Sequence, residues 1–443
     1  MISPLDDRYY PQVKELENFF SDFALTKYRL QVEVEYFIAL SENRGVGELK
    51  PFSTKEKNEL RSLYTKFTQA QYLEIKKIEG ETAHDIKAIE YFLKKHLPIK
   101  LSLYTEFVHF ALTSEDINSV AWALAWQQGL EQSYLPHLKT VLQTLQALAK
   151  KHARDPLLAL THGQSASTTT FGKEIVVYST RLIKQYKQLE KIKMPAKLSG
   201  ATGNWNAHVI AYPDVDWHNF SKKFISSFGL TPNLLTTQIE PHDTVAEVCN
   251  SIALTNTILI DFCRDIWLYN SRGVLKQIPK AKEIGSSTMP HKINPIQFEN
   301  AEGNLGLANA LLRHFSDKLP ISRLQRDLSD STVMRSSGVP FAHSILAYQN
   351  IITGLGKLAL NEEQSKKELN DHWEILAEAL QIVLRKEGKT DAYELIKEAT
   401  RGKIFNQEAY QALLKSLPLS SASYKKLSQL TPATYIGLSS RLV

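Results

Sequence analysis

An all-α fold built around long helices is what this 443-residue chain predicts, and three observations predict it. Leu, Ala, Lys, Glu and Gln abound while glycines number only 19, so helix formers dominate the composition. From about residue 244 to residue 275, Val245, Val248, Ile252, Leu259, Phe262 and Ile266 recur at steps of three, four and seven, which keeps one apolar stripe with Asn256 in its remaining seam position. Some thirty residues of helix reach about 45 Å, longer than a compact monomeric domain normally needs, so the pattern predicts a bundle of long helices.

In chain order, residues 1–112 read as a first domain of shorter helices, broken at Gly45, Gly47, Pro51 and Pro98. The run Thr113-Ser114-Glu115-Asp116 places a hydroxyl ahead of carboxylates and so caps a helix over 114–133. Further helices are predicted over 135–154, 169–191 and 299–318, giving a central domain of residues 113–360. Residues 361–443, charged and punctuated by Pro418 and Pro432, read as a third, smaller helical domain. Between Val245 and Ile266 this helix carries only Glu247, Asp261, Arg264 and Asp265 as charges, too few for a solvated outer face, which predicts burial against another copy in a homo-oligomer.

Charge narrows the function classes. A net charge of +6 comes from 53 basic and 47 acidic residues that are interspersed, which suits small anionic ligands better than a polynucleotide, for which a basic stripe with stacking aromatics is expected. No nucleic-acid partner is expected, and no membrane partner either, because the apolar run 248–260 is short and rich in Asn, Ser and Thr. Cys249 and Cys263 lie fourteen residues apart on one predicted helix, about 21 Å along its axis, so they cannot bridge each other. Without a cysteine framework or a basic-then-apolar leader in residues 1–12, a cytoplasmic location is expected.

The polar stretch Glu283-Ile284-Gly285-Ser286-Ser287-Thr288-Met289-Pro290-His291-Lys292-Ile293-Asn294-Pro295 interrupts this helical background. Gly285 and the two prolines forbid a continuous helix there. A hydroxyl is a poor base unless its deprotonated form is stabilised nearby, and Lys292 with the loop's own N–H groups can do that. Four more polar islands stand out: Thr82-Ala83-His84-Asp85, where Asp85 either orients the imidazole or caps the next helix; His109 ahead of Thr113 and Ser114; Thr161-His162-Gly163-Gln164-Ser165, at a break between two helices; and the run from Arg323 to Arg335, which puts Ser331 and Arg335 on one helical face. Hydroxyl, imidazole, lysine and arginine groups thus collect at helix ends, where a site between long helices would gather them. The histidines show no metal-ligand spacing and no Cys partners, and no phosphate-binding glycine loop is present, so no metal or cofactor is expected.

Residues Gly285 to Pro295 resemble the signature of the fumarase/aspartase superfamily. Within it, Thr161-His162-Gly163-Gln164, Gln238-Ile239-Glu240-Pro241-His242-Asp243, Phe298-Glu299-Asn300-Ala301-Glu302-Gly303-Asn304 and Arg326-Asp327-Leu328-Ser329-Asp330-Ser331 resemble the adenylosuccinate lyase family of bacterial type. The likeness runs from Pro4-Leu5-Asp6-Asp7-Arg8-Tyr9 to Pro432-Ala433-Thr434-Tyr435-Ile436-Gly437. It implies a three-domain all-α subunit, a homotetramer whose active sites each draw on three subunits, and elimination of fumarate from purine nucleotide substrates without metal or organic cofactor.

The same resemblance assigns roles. Ser286 would be the general base on a loop that closes over substrate, His162 the general acid, Glu299 the carboxylate that holds His162, and Lys292 with Asn294 the stabilisers of the carbanion. Arg8, Tyr9, Arg326, Ser331 and Arg335 would contact the nucleotide, where guanidinium forks suit phosphate oxygens. His84, Asp85, Thr113, Ser114, Gln238, Ser287, Asn300 and Thr332 match further substrate-binding positions. Two departures are visible: Ala83 stands where the family generally carries a polar side chain, and Ser165 where Pro is common.

Overall fold

The computed structural model describes residues 2–279 and 288–443. Two thirds of the chain, 66%, is helical, and the described strands form only three two-stranded sheets, so the all-α expectation holds. The chain folds as two compact units, one from Met1–Leu138, Gln185–Thr257 and Gly303–Ala347, the other from Lys139–Lys184, Ile258–Glu302 and Tyr348–Val443.

The longest described stretch of uninterrupted α-helix is Asp243–Ser271. Its predicted stripe is real: Val245, Val248, Ile252, Leu259, Phe262 and Ile266 are each at most 3% exposed. Asn256 sits in the seam fully buried and donates through Nδ2 to Ser344 Oγ at 3.0 Å, so the one polar seam position is satisfied rather than orphaned. By length and composition this helix passes a test for crossing a membrane, but two thirds (67%) of its most apolar window is buried, as in the core helix of a globular unit. Cys249 and Cys263 are buried in it as free thiols.

Two expected boundaries change. The helices foreseen over 114–133 and 135–154 are continuous: Ser114–Gly129 runs through a π-helical turn, Leu130–Tyr134, into Leu135–Lys151. In that turn the Leu135 N–H reaches back five residues to the Leu130 carbonyl, and Pro136, which has no N–H to give, follows without breaking the rod. Gly129, just before it, gives the Phe20 ring room, because a Cβ there would lie 2.6 Å from the ring and force it to shift. Phe20, Trp126, Tyr134 and Phe341 then build an aromatic knot in the first unit.

The second change matters more for function. The expected break between helices at residues 155–168 is a β-hairpin, β1 (Pro156–Thr161) paired antiparallel with β2 (Gln164–Thr170). Its two turn residues, His162 and Gly163, have φ of 53° and 72°, the left-handed pair that suits the right-handed twist of a two-residue hairpin. A register shift between Leu158 and Leu160 bends the ribbon. In the second unit it lies on a core of Leu158, Leu369, Trp373, Leu376, Leu380, Tyr410 and Leu414. Ser165 Oγ is 3.1 Å from His372 Nδ1, and Thr168 Oγ1 donates to the Pro432 carbonyl at 2.6 Å.

Candidate active site

The first unit holds most of the residues expected to meet substrate, and their local geometry follows from helix ends. Thr113 precedes the Ser114–Gly129 helix, and its N–H donates to Asp116 Oδ2 at 2.9 Å, as the capping reading required. Asp116 does more than cap. Fully buried, it accepts from the fully buried Lys197 ammonium at 2.7 Å and from the Ser199 and Gly200 N–H groups at 2.8 and 3.1 Å. One carboxylate therefore ties the Thr113-Ser114 turn to the loop after Lys197. The same loop accepts at the Ala201 carbonyl from Gln238 Nε2, 3.0 Å away, so Thr113, Ser114 and Gln238 share one support.

The Asp85 carboxylate engages arginines more closely than the neighbouring imidazole. His84 is itself the N-cap of the Asp85–Lys95 helix, with Nδ1 accepting from the Lys87 N–H at 3.2 Å, while Asp85 pairs with the buried Arg29 at 2.8 Å and with Arg335 at 3.5 Å. Burial works to raise the Asp85 pKa, yet Arg29, the Ile86 N–H and Arg335 together hold it below the usual carboxylate value. His109 adopts φ of 59° and meets the fully buried Glu33 at 2.6 Å; burial opposes its charge, but the carboxylate raises its pKa.

Arg326 lies three residues before a short helix, Ser329–Met334, which carries Ser331 and Thr332 and has Arg335 at its end. Arg326 Nη1 is 3.0 Å from Glu115 Oε2 and 3.3 Å from Asp330 Oδ2, and Asp330 also meets His242 Nε2 at 3.3 Å. Burial pushes Glu115 up to about 7, with the Arg326 guanidinium opposing and the Asp330 carboxylate adding to the rise. Arg8 is exposed, its guanidinium 5.6 Å from the centre of the half-buried Tyr9 ring.

The second unit holds the expected acid and its helpers. His162 is exposed at the tip of the hairpin, and its imidazole makes no hydrogen bond or ion pair with any described residue. Glu299, on the first turn of the Ile296–Lys318 helix, accepts from Trp267 Nε1 at 3.0 Å rather than from an imidazole. Lys292 is exposed, and Asn294 and Asn300 are half-buried, on the segment leading into and along that helix. Ser286 and Ser287 lie outside the described residues. Among the described residues, no group of three or more His, Cys, Asp or Glu side chains is arranged to hold a metal ion.

Reasoning from the sequence missed Arg29, Glu33, Lys197 and the pairing of Glu115 with Arg326. Nothing local announces them, because each partner lies dozens of residues away along the chain. A buried lysine is legible only once its carboxylate is seen beside it.

Comparison with known proteins finds relatives along the whole chain. Residues 7–309 match the family described as lyase, and residues 322–436 the family described as adenylosuccinate lyase C-terminal. The chain is 46% identical over 444 aligned residues to an adenylosuccinate lyase of Legionella pneumophila (strain Corby), covering 100% of this chain and 97% of the relative. It is 48% identical to an adenylosuccinate lyase of Dictyostelium discoideum, over 99% and 96% of the two chains, and 44% identical to that of Escherichia coli (strain K12), over 98% and 96%. Among solved structures, a fumarate lyase from Mesorhizobium sp. BNC1 shares the fold at a TM-score of 0.76 and 18% identity, over 97% and 96% of the chains. A 3-carboxy-cis,cis-muconate lactonizing enzyme from Pseudomonas putida does so at 0.74 and 19%, over 99% and 97%.

Proposed function

The chain belongs to the adenylosuccinate lyase family, and from that premise we propose how its residues carry the chemistry. It is a C–N lyase that eliminates fumarate from adenylosuccinate to leave AMP, and from the succinylated aminoimidazole carboxamide ribotide to leave the carboxamide ribotide, in purine nucleotide biosynthesis. The observation that carries this reading is identity near 46% along the whole chain, with every resembling segment of the site inside the match.

Elimination removes a proton from the carbon beside a carboxylate, and the charge that builds on that carboxylate needs cations and oriented N–H donors. Lys292 and Asn294 supply them in this reading, and Ser286 is the base, with Ser287 beside it. His162 protonates the departing purine nitrogen, and Glu299 orients it. Arg8, Arg326 and Arg335 receive the nucleotide's anionic groups, with Tyr9, Ser331 and Thr332 alongside, and His84, Asp85, Thr113, Ser114, Gln238 and Asn300 frame the remainder.

The site belongs to a homotetramer and draws its parts from three subunits. Two features support this: His162 stands exposed without a partner among the described residues, and the long helices leave large apolar groups open, with Trp267 44%, Leu268 52% and Leu307 57% exposed. The expected three-domain division, 1–112, 113–360 and 361–443, and a place in the cytoplasm belong to the same reading. Absorbance assays on purified protein test the activity: fumarate is released from adenylosuccinate and none from argininosuccinate. Release from argininosuccinate alone would sink the reading.

A further inference from the structure

Two carboxylates share one guanidinium nitrogen in the first unit, and they are not equivalent. Arg326 Nη1 stands 3.0 Å from Glu115 Oε2 and 3.3 Å from Asp330 Oδ2. Asp330 is well supplied with other donors: His242 Nε2 at 3.3 Å and the Ser331 N–H at 2.7 Å. Among the described residues Glu115, with a side chain 8% exposed, has besides Arg326 only a 3.5 Å contact from Asn118 Nδ2. Arg326 itself is 20% exposed, and no described residue accepts from its Nε or Nη2, so the rest of its planar fork is available to a ligand.

We propose that Glu115 is an exchangeable counter-ion of Arg326: it holds the guanidinium in the free enzyme, cedes it to an anionic group of the bound nucleotide, and takes up a proton as it does so. This rests on the reading of Arg326 as a nucleotide-binding residue and adds a positioning residue to it. A ligand anion delivered to this guanidinium would otherwise face two buried carboxylates, and like charges crowded into one buried site cannot all stay ionised. Asp330 keeps its charge because it has the imidazole and backbone donors. Glu115 accepts a hydrogen bond from neither kind of donor among the described residues, so the proton goes to it, drawn from solvent, and the carboxylate becomes a neutral acid still able to donate a hydrogen bond. The groups facing Glu115 are Arg326 and Asp330, from the Ser329–Met334 helix and the residues before it, and His242, beside Glu240, at the start of the Asp243–Ser271 helix. Burial already lifts Glu115 to about 7, so the uptake falls in the neutral range.

Calorimetric titration of AMP into the holoprotein at pH 7.5, repeated in buffers of different ionisation enthalpy, counts the protons taken up. Wild type should take up a sizeable fraction of one proton more than Glu115→Gln, which imitates the protonated form in size and charge. Between pH 7 and 8 the wild-type affinity for AMP should also fall by several-fold, up to roughly tenfold, relative to that variant. Equal proton counts and parallel pH profiles in the two proteins, while wild type releases fumarate from adenylosuccinate, overturn this inference alone. A wild type that releases no fumarate overturns the functional reading together with it.

Discussion

In the unit that carries Arg326, several of the residues expected to meet the nucleotide are already tied down: Thr113 through Asp116 to Lys197, Asp85 to Arg29 and Arg335, Arg326 to Glu115 and Asp330. In the unit that carries His162, the expected acid sits exposed on a hairpin tip with no partner among the described residues, and Glu299 is engaged by Trp267. Binding groups need fixed positions before the ligand arrives, and buried charge pairs fix them at a cost in desolvation. The acid is presented instead by the left-handed hairpin turn, and in the proposed function Glu299 orients its ring. The two regions therefore place their side chains by different physics, and substitutions should separate them.

The sharpest separation is in the rate. His162→Asn keeps the left-handed backbone, which Asn tolerates well ahead of Gly163, and removes the titrating ring. Turnover of adenylosuccinate should fall by about 10²–10⁴-fold, the usual contribution of a general acid, while thermal unfolding stays within about 0.5 kcal/mol of wild type. Near-normal turnover would break the comparison at its catalytic end.

Lys197→Met tests the other region and should act the opposite way. It strands the Asp116 carboxylate, which is fully buried, and loss of one partner from such a pair costs about 3–5 kcal/mol. Because Asp116 also supports Thr113 and the loop bonded to Gln238, KM should rise before kcat falls. The double variant Asp116→Asn, Lys197→Met should recover part of the lost stability, since no unpaired charge remains. A single variant as stable as wild type would show that the pair does not organise this unit.

The contrast between the regions also explains what could be read in advance. The seam of the Asp243–Ser271 helix and the cap at Thr113 were legible because each depends on residues within a few positions. The hairpin was not, since Leu157 to Leu160 is a short apolar run that fits strand or helix equally, and His-Gly is a weaker turn signal than Asn-Gly. The site residues themselves were marked by resemblance, but their supports were not: Lys197, Arg29 and Glu115 read as ordinary charged residues until long-range packing gives them partners.

Glu115 sharpens the comparison through pH. Its pKa rises from the ordinary 4.5 to about 7 on folding, chiefly by burial, so between those values the folded chain keeps a proton that the unfolded chain has released. Stability must then fall as pH increases through that window, by about 3 kcal/mol in total, and level off above it. Glu115→Gln should remove this component, so denaturation midpoints of the variant and wild type converge near pH 4.5 and separate by pH 7.5. Parallel curves would mean that Glu115 is ionised with little penalty.

The smallest expected effect lies at Gly163. Its φ of 72° suits glycine, and a Cβ there would meet nothing within 4 Å, so the cost of Gly163→Ala is purely conformational, about 1–2 kcal/mol. That cost falls on the hairpin, so hydrogen exchange should speed up in β1 and β2 while the amides of the Ser114–Gly129 helix keep their protection. Turnover should drop by a few-fold as His162 is held less often in position, with KM unchanged. Gly163→Asn should do less harm on both measures, because Asn enters the left-handed region more readily than Ala. If the two substitutions behaved alike, the hairpin's left-handed turn would not be what presents the imidazole.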